Sequence, residues 1–321
     1  MNEREWVDRL LERFGGAAGS DPAAGGLGPG GIGPGDDAAL FTPSAGASIV
    51  STVDTLVDGT HFLPGWLTDA ELGSRALRVS LSDLAAMAAV PRGALIAVET
   101  NTLPGHFGDA FWDGVAATLE EFDCTLLGGN VTRTRGPISI STTLLGEVAA
   151  GEATLRSTAR PGDAIFVTGR PGSAACARRA RAEGKNVGSE CAFAYPRPRI
   201  REARALVSRG QTSAAIDVSD GLGLDLARLL DASGVGAEVE LEELFATPPT
   251  PEEWQDAWAG GEDYELLFTA PADRQPDPAA FEREFGVRLT RIGSCTSSLE
   301  RSVDGREWSD EPHAAEGWDP F

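Results

Sequence analysis

Six short polar segments, spaced along the 321-residue chain, carry the side chains most suited to chemistry. They are GDDAAL (35–40), STVDTL (51–56), SLSDLAAM (80–87), GGN (128–130), DVSDGL (217–222) and GGEDYEL (260–266). Several place an aspartate in a turn rich in glycine, serine or threonine, where carboxylate and backbone oxygens can converge. Hard divalent cations prefer such oxygen ligands and accompany phosphates in proteins. The pattern therefore predicts a site for magnesium and a nucleotide.

Asp83 lies on the apolar face of a predicted helix that spans residues 69–89. Positions 76, 79, 83 and 87 are three or four residues apart, so they share one face of that helix. A carboxylate that points toward packed structure is costly without a partner. We favour a metal ion as this partner; an arginine, or a neighbouring turn that the carboxylate caps, is the alternative.

The segment AAIDVSDGLGLDL predicts a short buried strand followed by a turn and a helix that begins near Gly221. Ser219 or Asp220 alone would be explained as the N-cap of this helix. Asp217 and Ser219, however, alternate on one side of the strand end, and Asp220 follows them. A site for a metal and a phosphate at the helix N-terminus accounts for all three residues.

The remaining signals are weaker when each is taken alone. Oxygens of residues 52–54 can bind one ion, whereas His61 by itself is more often a structural histidine than a ligand. The glycines before Asn130 permit a close approach of backbone amides to phosphate. Arg156 can pair with a polyphosphate or with a surface acid, and GRPGSAACARR (169–179) predicts a plain turn capped by Ser173.

The elements that must position these residues form two successive α/β series, which predict two domains, 1–150 and 151–321. A helix is predicted at residues 2–14, followed by a glycine-rich loop that either closes over phosphates or serves as a linker. Strands are predicted at 48–53, 94–99 and 138–146 in the first series. In the second, strands are predicted in DAIFVTG, AAIDVS, GAEVEL, YELLFT and VRLTRIG, and residues 296–316 are predicted to be irregular.

Composition limits the function classes. The net charge is 27 − 49 = −22 and Lys185 is the only lysine, which argues against a nucleic-acid partner. An acidic surface that is poor in lysine suits a protein that works in concentrated salt; an ordinary acidic enzyme is the alternative. The four cysteines form no CxxC pair, so neither a zinc site nor a redox motif is predicted. No apolar run is long enough to cross a bilayer, and we expect a cytoplasmic protein.

In their order along the chain, the six segments, His61 and the terminal GWDPF resemble the thiamine-monophosphate kinases, within the superfamily of aminoimidazole-ribonucleotide synthetase-like ATP enzymes. This resemblance implies a two-domain α/β (α+β) fold with mixed sheets and flanking helices. It also implies a homodimer formed through the N-terminal domains, with ATP and several Mg²⁺ ions bound near that interface. The implied reaction, the last step of thiamine diphosphate biosynthesis, transfers the γ-phosphoryl group of ATP to thiamine phosphate.

The resemblance also implies a role for individual residues. The implied metal ligands are Asp36, Thr52, Val53 through its backbone, Asp54, Asp83, Asn130, Asp217 and Asp220. ATP would contact Gly129, Asn130, Arg156 and Ser219, and thiamine phosphate would contact His61, Glu262 and Trp318. Asp54 and Asp220 are expected to be the catalytic carboxylates.

One position departs from the family pattern, because Asn130-Val131 stands where the family usually has Asp-Thr. Asparagine offers an oxygen ligand without a negative charge, so we expect weaker binding of one magnesium ion. This departure motivates one alternative, a non-catalytic sensor of thiamine phosphate or nucleotide. A further alternative is an ATP enzyme of the same superfamily with another acceptor, against which His61, GGEDYEL and GWDPF argue.

Overall fold

The computed structural model describes residues 3–15, 31–185 and 191–308. The chain divides into two compact units. The first comprises residues 1–84 and 89–152, and the second comprises residues 85–88 and those from 153 onwards. Trp318 and residues 16–30 of the glycine-rich segment lie outside the described residues.

The first unit contains a four-stranded mixed sheet and three helices. Its elements are α1 (Glu3–Phe14), β1 (Ala47–Val57), α2 (Asp69–Ala86), β2 (Val90–Thr100), α3 (Asp109–Glu121), β3 (Thr125–Arg133) and β4 (Ser139–Ala149). The strand order is β1-β4-β2-β3. Strand β4 is antiparallel to β1 and β2, whereas β3 is parallel to β2.

Helix α2 packs between the sheet and α3. Ser80 of α2 is fully buried and donates a hydrogen bond to the carbonyl of Thr142 in β4. Where α2 meets α3 the backbones almost touch: a Cβ added to Gly73 would lie 2.1 Å from the Phe111 carbonyl oxygen, and one added to Gly114 would lie 2.0 Å from that of Ala70. The two glycines therefore permit the close packing of α2 against α3.

The second unit contains a seven-stranded mixed sheet with helices around it. Its elements are β5 (Ala164–Thr168), α4 (Ser173–Ala182), α5 (Ile200–Ser208), β6 (Ala214–Val218), α6 (Leu222–Ser233), β7 (Gly236–Val239), α7 (Pro251–Ala259), β8 (Glu265–Ala270), α8 (Pro278–Phe285), β9 (Leu289–Thr296), β10 (Arg301–Val303) and β11 (Arg306–Glu307). The strand order is β11-β10-β7-β9-β5-β8-β6, and only β10 and β7 pair in parallel.

Strands β5, β6 and β8 are buried on both faces, because each face of the sheet carries its own apolar core. Val167 of β5 lies in the cluster that contains Leu226 of α6. Its neighbour Phe166 lies in a second cluster, on the opposite face of the sheet, and stacks on Phe268. Alternate residues of one strand thus serve opposite cores, as strand geometry requires.

The predicted mixed α/β architecture with flanking helices is confirmed, and each of the strands predicted above is present. Strand β3, which contains GGN, was not predicted, nor were helices α5, α7 and α8. The segment predicted to be irregular, residues 296–316, contains the short strands β10 and β11 in its described part. No helix in the described ranges is long and apolar enough to cross a membrane.

Candidate active site

In the first unit, a carboxylate pair lies where β1 crosses α2. Thr52 and Asp54 alternate along β1 and therefore share one face of the sheet. The Thr52 hydroxyl donates a short hydrogen bond to Oδ2 of Asp83 on α2. Oδ2 of Asp54 is buried and has no hydrogen-bond partner. Val53, between them, is aligned with Thr143 of β4 and its side chain is exposed.

The electrostatics of this pair favour a cation. Burial, reinforced by the neighbouring Asp83 carboxylate, raises the pKa of Asp54 to about 6, although a hydrogen bond with Ser80 opposes the shift. Two nearby carboxylates and an unpartnered buried oxygen are unfavourable when both groups are ionised. A divalent cation would supply the missing partner and remove the repulsion. Asp83 is half-buried on α2 and accepts the Thr52 hydroxyl; the metal ion expected as its partner stays a prediction.

A cavity of about 720 Å³ lies elsewhere in the first unit, bounded by α1, α3, β2, β3 and residues 34–41. Asp36, Gly129 and Asn130 lie on its wall, together with apolar side chains that include Leu10 and Trp112. Asp36 is exposed and accepts the backbone N–H of Asp37 at 2.8 Å. Sequence reasoning identified the three polar positions but not Trp112, which no local motif marks.

Asn130 is separated from the Asp54–Asp83 pair. Along the sheet, Asp54 is aligned with Thr142, Thr142 with Ile96, and Ile96 with Gly129. Three strand spacings amount to roughly 14 Å. The side-chain amide of Asn130 donates to the Thr132 hydroxyl at 2.9 Å. Within this unit the predicted ligands thus form two groups, Thr52, Asp54 and Asp83 on one hand and Asp36 and Asn130 on the other.

His61 lies in the turn that follows β1. The ring Nδ1 of His61 accepts the backbone N–H of Val57 at 3.0 Å, and the backbone N–H of His61 donates to the Val57 carbonyl at 2.9 Å. The ring thereby closes the turn. Because Nδ1 is an acceptor, the proton of the neutral ring is on Nε2.

In the second unit, Asp217 lies near the end of β6, and Ser219 and Asp220 lie in the turn that follows this strand. Asp217 is buried within the strand, whereas Ser219 and Asp220 are partly exposed. The backbone N–H groups of Ser219 and Asp220 both donate to Oδ2 of Asp225, each at 2.9 Å. Burial raises the pKa of Asp225 to about 6, although the Asp220 N–H works against the shift. Arg228 forms ion pairs with both Asp220 and Asp225.

Glu262 lies beside this turn, on a loop of unusual backbone conformation. Gly261, Glu262 and Tyr264 have φ of +64°, +62° and +52°. The Glu262 N–H donates to the Ser219 carbonyl at 2.7 Å, and its carboxylate forms a partly buried ion pair with Arg178 of α4. Two non-glycine residues in the left-handed region cost free energy, and such strain is concentrated at functional sites. The structure thus brings Ser219, Asp220 and Glu262 together.

Asp263 attaches the same loop to the N-terminus of α4. Its carboxylate accepts the backbone N–H groups of Gly172 at 2.7 Å and of Ala174 at 3.0 Å. Burial raises the pKa of Asp263 to about 7 in spite of these donors. The prediction that Ser173 caps this turn was wrong, because Gly172 is at the N-cap position and the acceptor comes from Asp263, 90 residues away along the chain.

Arg156 lies far from Ser219 within the second unit. Its carbonyl accepts a hydrogen bond from Ser233, the last residue of α6, whereas Asp220 precedes the first residue of that helix. A helix of 12 residues is roughly 18 Å long. The side chain of Arg156 is exposed at this distant end. Within the described ranges, no group of three or more His, Cys, Asp or Glu side chains converges as a ready metal centre.

Comparison with known proteins shows the family to which the chain belongs. Residues 35–148 match the model of the AIR synthase related protein N-terminal domain, and residues 160–304 match that of the C-terminal domain. A thiamine-monophosphate kinase of Salmonella typhimurium is 38% identical over 279 residues, which is 83% of this chain and 84% of that protein. The chain belongs to the thiamine-monophosphate kinase family. The predicted family and two-domain fold are therefore confirmed.

Solved structures of the family show the same fold. The thiamine-monophosphate kinase of Stenotrophomonas maltophilia K279a has a TM-score of 0.78 and 35% identity, over 86% of this chain and 91% of that one. The structure of AaThiL complexed with AMPPCP and TMP has a TM-score of 0.72 and 26% identity, over 100% of this chain and 99% of that one.

Sequence reasoning missed three residues that shape the second unit's site: Arg178, Asp225 and Asp263. The signal that singled out Asp83 was also available for Asp225, which shares the apolar face of its predicted helix with Leu222 and Leu229. Arg178 and Asp263 act across more than 80 residues of sequence, and no local pattern reveals such contacts.

Proposed function

We propose that this chain is an ATP-dependent thiamine-phosphate kinase, which transfers the γ-phosphoryl group of ATP to the phosphate of thiamine phosphate. The products are thiamine diphosphate and ADP. The observation that carries the proposal is the 38% identity to the Salmonella enzyme over most of both chains. The cytoplasmic location, expected for such a biosynthetic enzyme, stays a prediction.

We assign the cavity of the first unit to the nucleotide. It offers an apolar wall with Trp112 and Leu10 beside the polar residues Gly129, Asn130 and Asp36. A purine base suits the apolar part, and a phosphate chain with its counter-ions suits the acidic rim. The likeness to AaThiL complexed with AMPPCP and TMP supports a nucleotide site in this fold.

We assign magnesium to the carboxylates. Thr52, Asp54 and Asp83 fit it best, because the buried Oδ2 of Asp54 lacks a partner and the donors are hard oxygens. The further proposed ligands are the backbone of Val53, with Asp36, Asn130, Asp217 and Asp220. No three carboxylates converge in the described ranges, which suits an ion that completes its shell with waters and substrate phosphates. Bound magnesium would reduce the repulsion between the donor and acceptor phosphates.

The protein's own residues have positioning and charge roles in this reaction. The acceptor phosphate is already anionic, so the transfer needs no general base. Asp54 and Asp220 are proposed to hold the ions that align the phosphates, and Ser219 to contact ATP. Arg156, at the opposite end of α6, is proposed to contact ATP at a point well separated from Ser219. Glu262, held by Arg178, and His61 are proposed to contact thiamine phosphate, together with Trp318.

We further propose a homodimer formed through β1. This strand is at the edge of its sheet and runs for 11 residues. Ile49 is 44% and Val53 is 62% exposed. A long edge strand with exposed apolar side chains is a surface that pairs with another chain. Light scattering should give twice the mass of 33.6 kDa; a monomer at all concentrations would contradict the dimer.

To test the kinase activity, purified protein is incubated with thiamine monophosphate and Mg-ATP. Chromatography then measures how much thiamine diphosphate and how much ADP are formed. Thiamine diphosphate and ADP in equal amounts would support the proposal. Binding of both ligands without turnover would favour the sensor instead, and Asn130→Asp would then be the first variant to make. ADP formation that requires a different acceptor would favour another branch of the superfamily.

A further inference from the structure

Asp225 is a fully buried carboxylate of α6 that accepts hydrogen bonds from the turn preceding this helix. It is 0% exposed. Its Oδ2 accepts the backbone N–H groups of Ser219 and Asp220, each at 2.9 Å. Its Oδ1 pairs with Arg228 at 2.7 Å, and the same guanidinium nitrogen contacts Oδ2 of Asp220. One side chain thus holds the backbone of both residues and, through Arg228, the carboxylate of one.

This arrangement is not ordinary helix capping. The N-cap of α6 is Gly221, with φ +120°, and it makes no side-chain capping bond. Asp225 instead reaches back from within the helix to the two residues before the N-cap. A buried carboxylate without hydrogen bonds would be costly, whereas here three donors satisfy it. The amides of Ser219 and Asp220 are consequently committed to Asp225 and are not free to bind phosphate.

We infer that Asp225 is a positioning residue, which fixes the Ser219–Asp220 turn so that the two side chains can bind the metal-nucleotide complex. This inference rests on the proposed roles of Ser219 and Asp220. Arg228 offsets part of the negative charge of the two aspartates, and its ion pair with Asp220 restrains that carboxylate. Partners that orient a ligand in this way typically account for a factor of about 10 to 100 in metal affinity.

The test compares Asp225→Ala and Asp225→Asn with Asp231→Asn, a matched control on the same helix. Asp231 is exposed and pairs with Arg301. Binding of Mn²⁺ in the presence of AMPPCP, followed by electron paramagnetic resonance, is measured beside thermal melting and steady-state kinetics. We expect Asp225→Ala to weaken Mn²⁺ binding about 10- to 100-fold and to lower kcat. Asp225→Asn keeps an acceptor for the two amides, so its Mn²⁺ affinity and kcat should fall less. Asp231→Asn should behave as wild type.

Wild-type Mn²⁺ affinity and kcat in a folded Asp225→Ala protein would overturn the inference, even if its melting temperature fell. If Asp225→Ala does not fold, Asp225→Asn and Arg228→Gln decide, and unchanged Mn²⁺ affinity in both would overturn it. A wild-type protein that binds Mn²⁺ and AMPPCP without turning over would contradict the proposed kinase activity but not the positioning role of Asp225. The Mn²⁺ comparison would still test the role of Asp225.

Discussion

At the scale of single residues, the carboxylates proposed for function are poorly accommodated by the fold that holds them. Asp54 has a buried oxygen without a partner and lies close to Asp83, so its pKa is raised to about 6. A protein selected for stability alone would have no reason to keep an acid there. The conflict between stability and function at such sites is general, and it can be measured.

We predict that Asp54→Asn stabilises the metal-free protein and reduces its activity. At pH 8 the substitution removes a buried charge, and a shift of roughly 2 pKa units corresponds to about 3 kcal/mol. Urea unfolding in the presence of a chelator measures this gain, which should shrink toward pH 5, where wild-type Asp54 is protonated. Turnover with Mg-ATP should fall by about 100-fold or more.

The matched control is Asp113→Asn, which removes an exposed acid that pairs with Arg13. Its free energy of unfolding should change by no more than about 0.5 kcal/mol, and its turnover should not change. An Asp54→Asn protein that is less stable than wild type at pH 8, or fully active, would remove Asp54 from the proposed metal site.

Asp263 gives a pH-dependence of stability whose sign follows from its raised pKa. The pKa is about 7 in the folded protein and 3.8 in the unfolded chain. The folded state therefore binds more protons between these values, and its stability falls as the pH rises from about 4 to 7. We expect this contribution to reach roughly 4 kcal/mol. It should be absent in Asp263→Asn, whose amide oxygen can still accept the Gly172 N–H.

The measurement is the free energy of unfolding of both proteins at several pH values from 4 to 8. Asp54 and Asp225, whose pKa values are also raised, make the same contribution to the pH-dependence of stability in both proteins. The difference between the wild-type and Asp263→Asn curves therefore isolates Asp263. Parallel curves would show that the Asp263 carboxyl is ionised throughout this range.

At the scale of elements, the sequence predicted those parts whose pattern is local. Strands β1 and β6 and helices α2 and α6 follow from apolar runs and helical spacing, and the carboxylates on them were identified with their elements. Strand β3 was not predicted, because its two glycines, Gly128 and Gly129, weaken the strand pattern. The contacts of α4 with residues 260–263 were not predictable either, since they join positions about 80 to 90 residues apart.

Helix α4 anchors the loop that carries Glu262, and Arg178 makes two of these contacts. Its guanidinium donates to the Gly260 carbonyl at 3.2 Å and pairs with the Glu262 carboxylate. We predict that Arg178→Ala raises the KM for thiamine phosphate about tenfold, equivalent to about 1.4 kcal/mol, because Glu262 is no longer held. The KM for ATP should change much less, since this contact lies on the proposed acceptor side.

Arg209→Ala is the matched control for this kinetic measurement. Arg209 pairs with Glu284 through two hydrogen bonds on the exposed surface, and its loss should leave both KM values unchanged. Equal increases in the two KM values of Arg178→Ala would indicate a general loss of structure rather than a specific effect on Glu262.

At the scale of the whole molecule, charge is the dominant feature. The net charge is −22, and arginine supplies nearly all the positive charge. Most of the ion pairs described join arginine to aspartate or glutamate, and several of them are exposed, as Arg209–Glu284 is. Exposed pairs contribute little to stability, so they cannot offset the repulsion among the unpaired acids. This repulsion disfavours the compact state in dilute buffer.

We predict that the melting temperature rises by several degrees between about 0.1 M and about 2 M KCl, because the screening length falls from roughly 10 Å to below about 3 Å. Sucrose, which stabilises proteins by exclusion without screening charge, is the comparison. If screening is the cause, KCl should raise the melting temperature far more than sucrose at equal osmolality, and kinase activity should persist at the higher salt. Equal effects of the two solutes would indicate an ordinary acidic enzyme, and a melting temperature independent of KCl would contradict adaptation to salt.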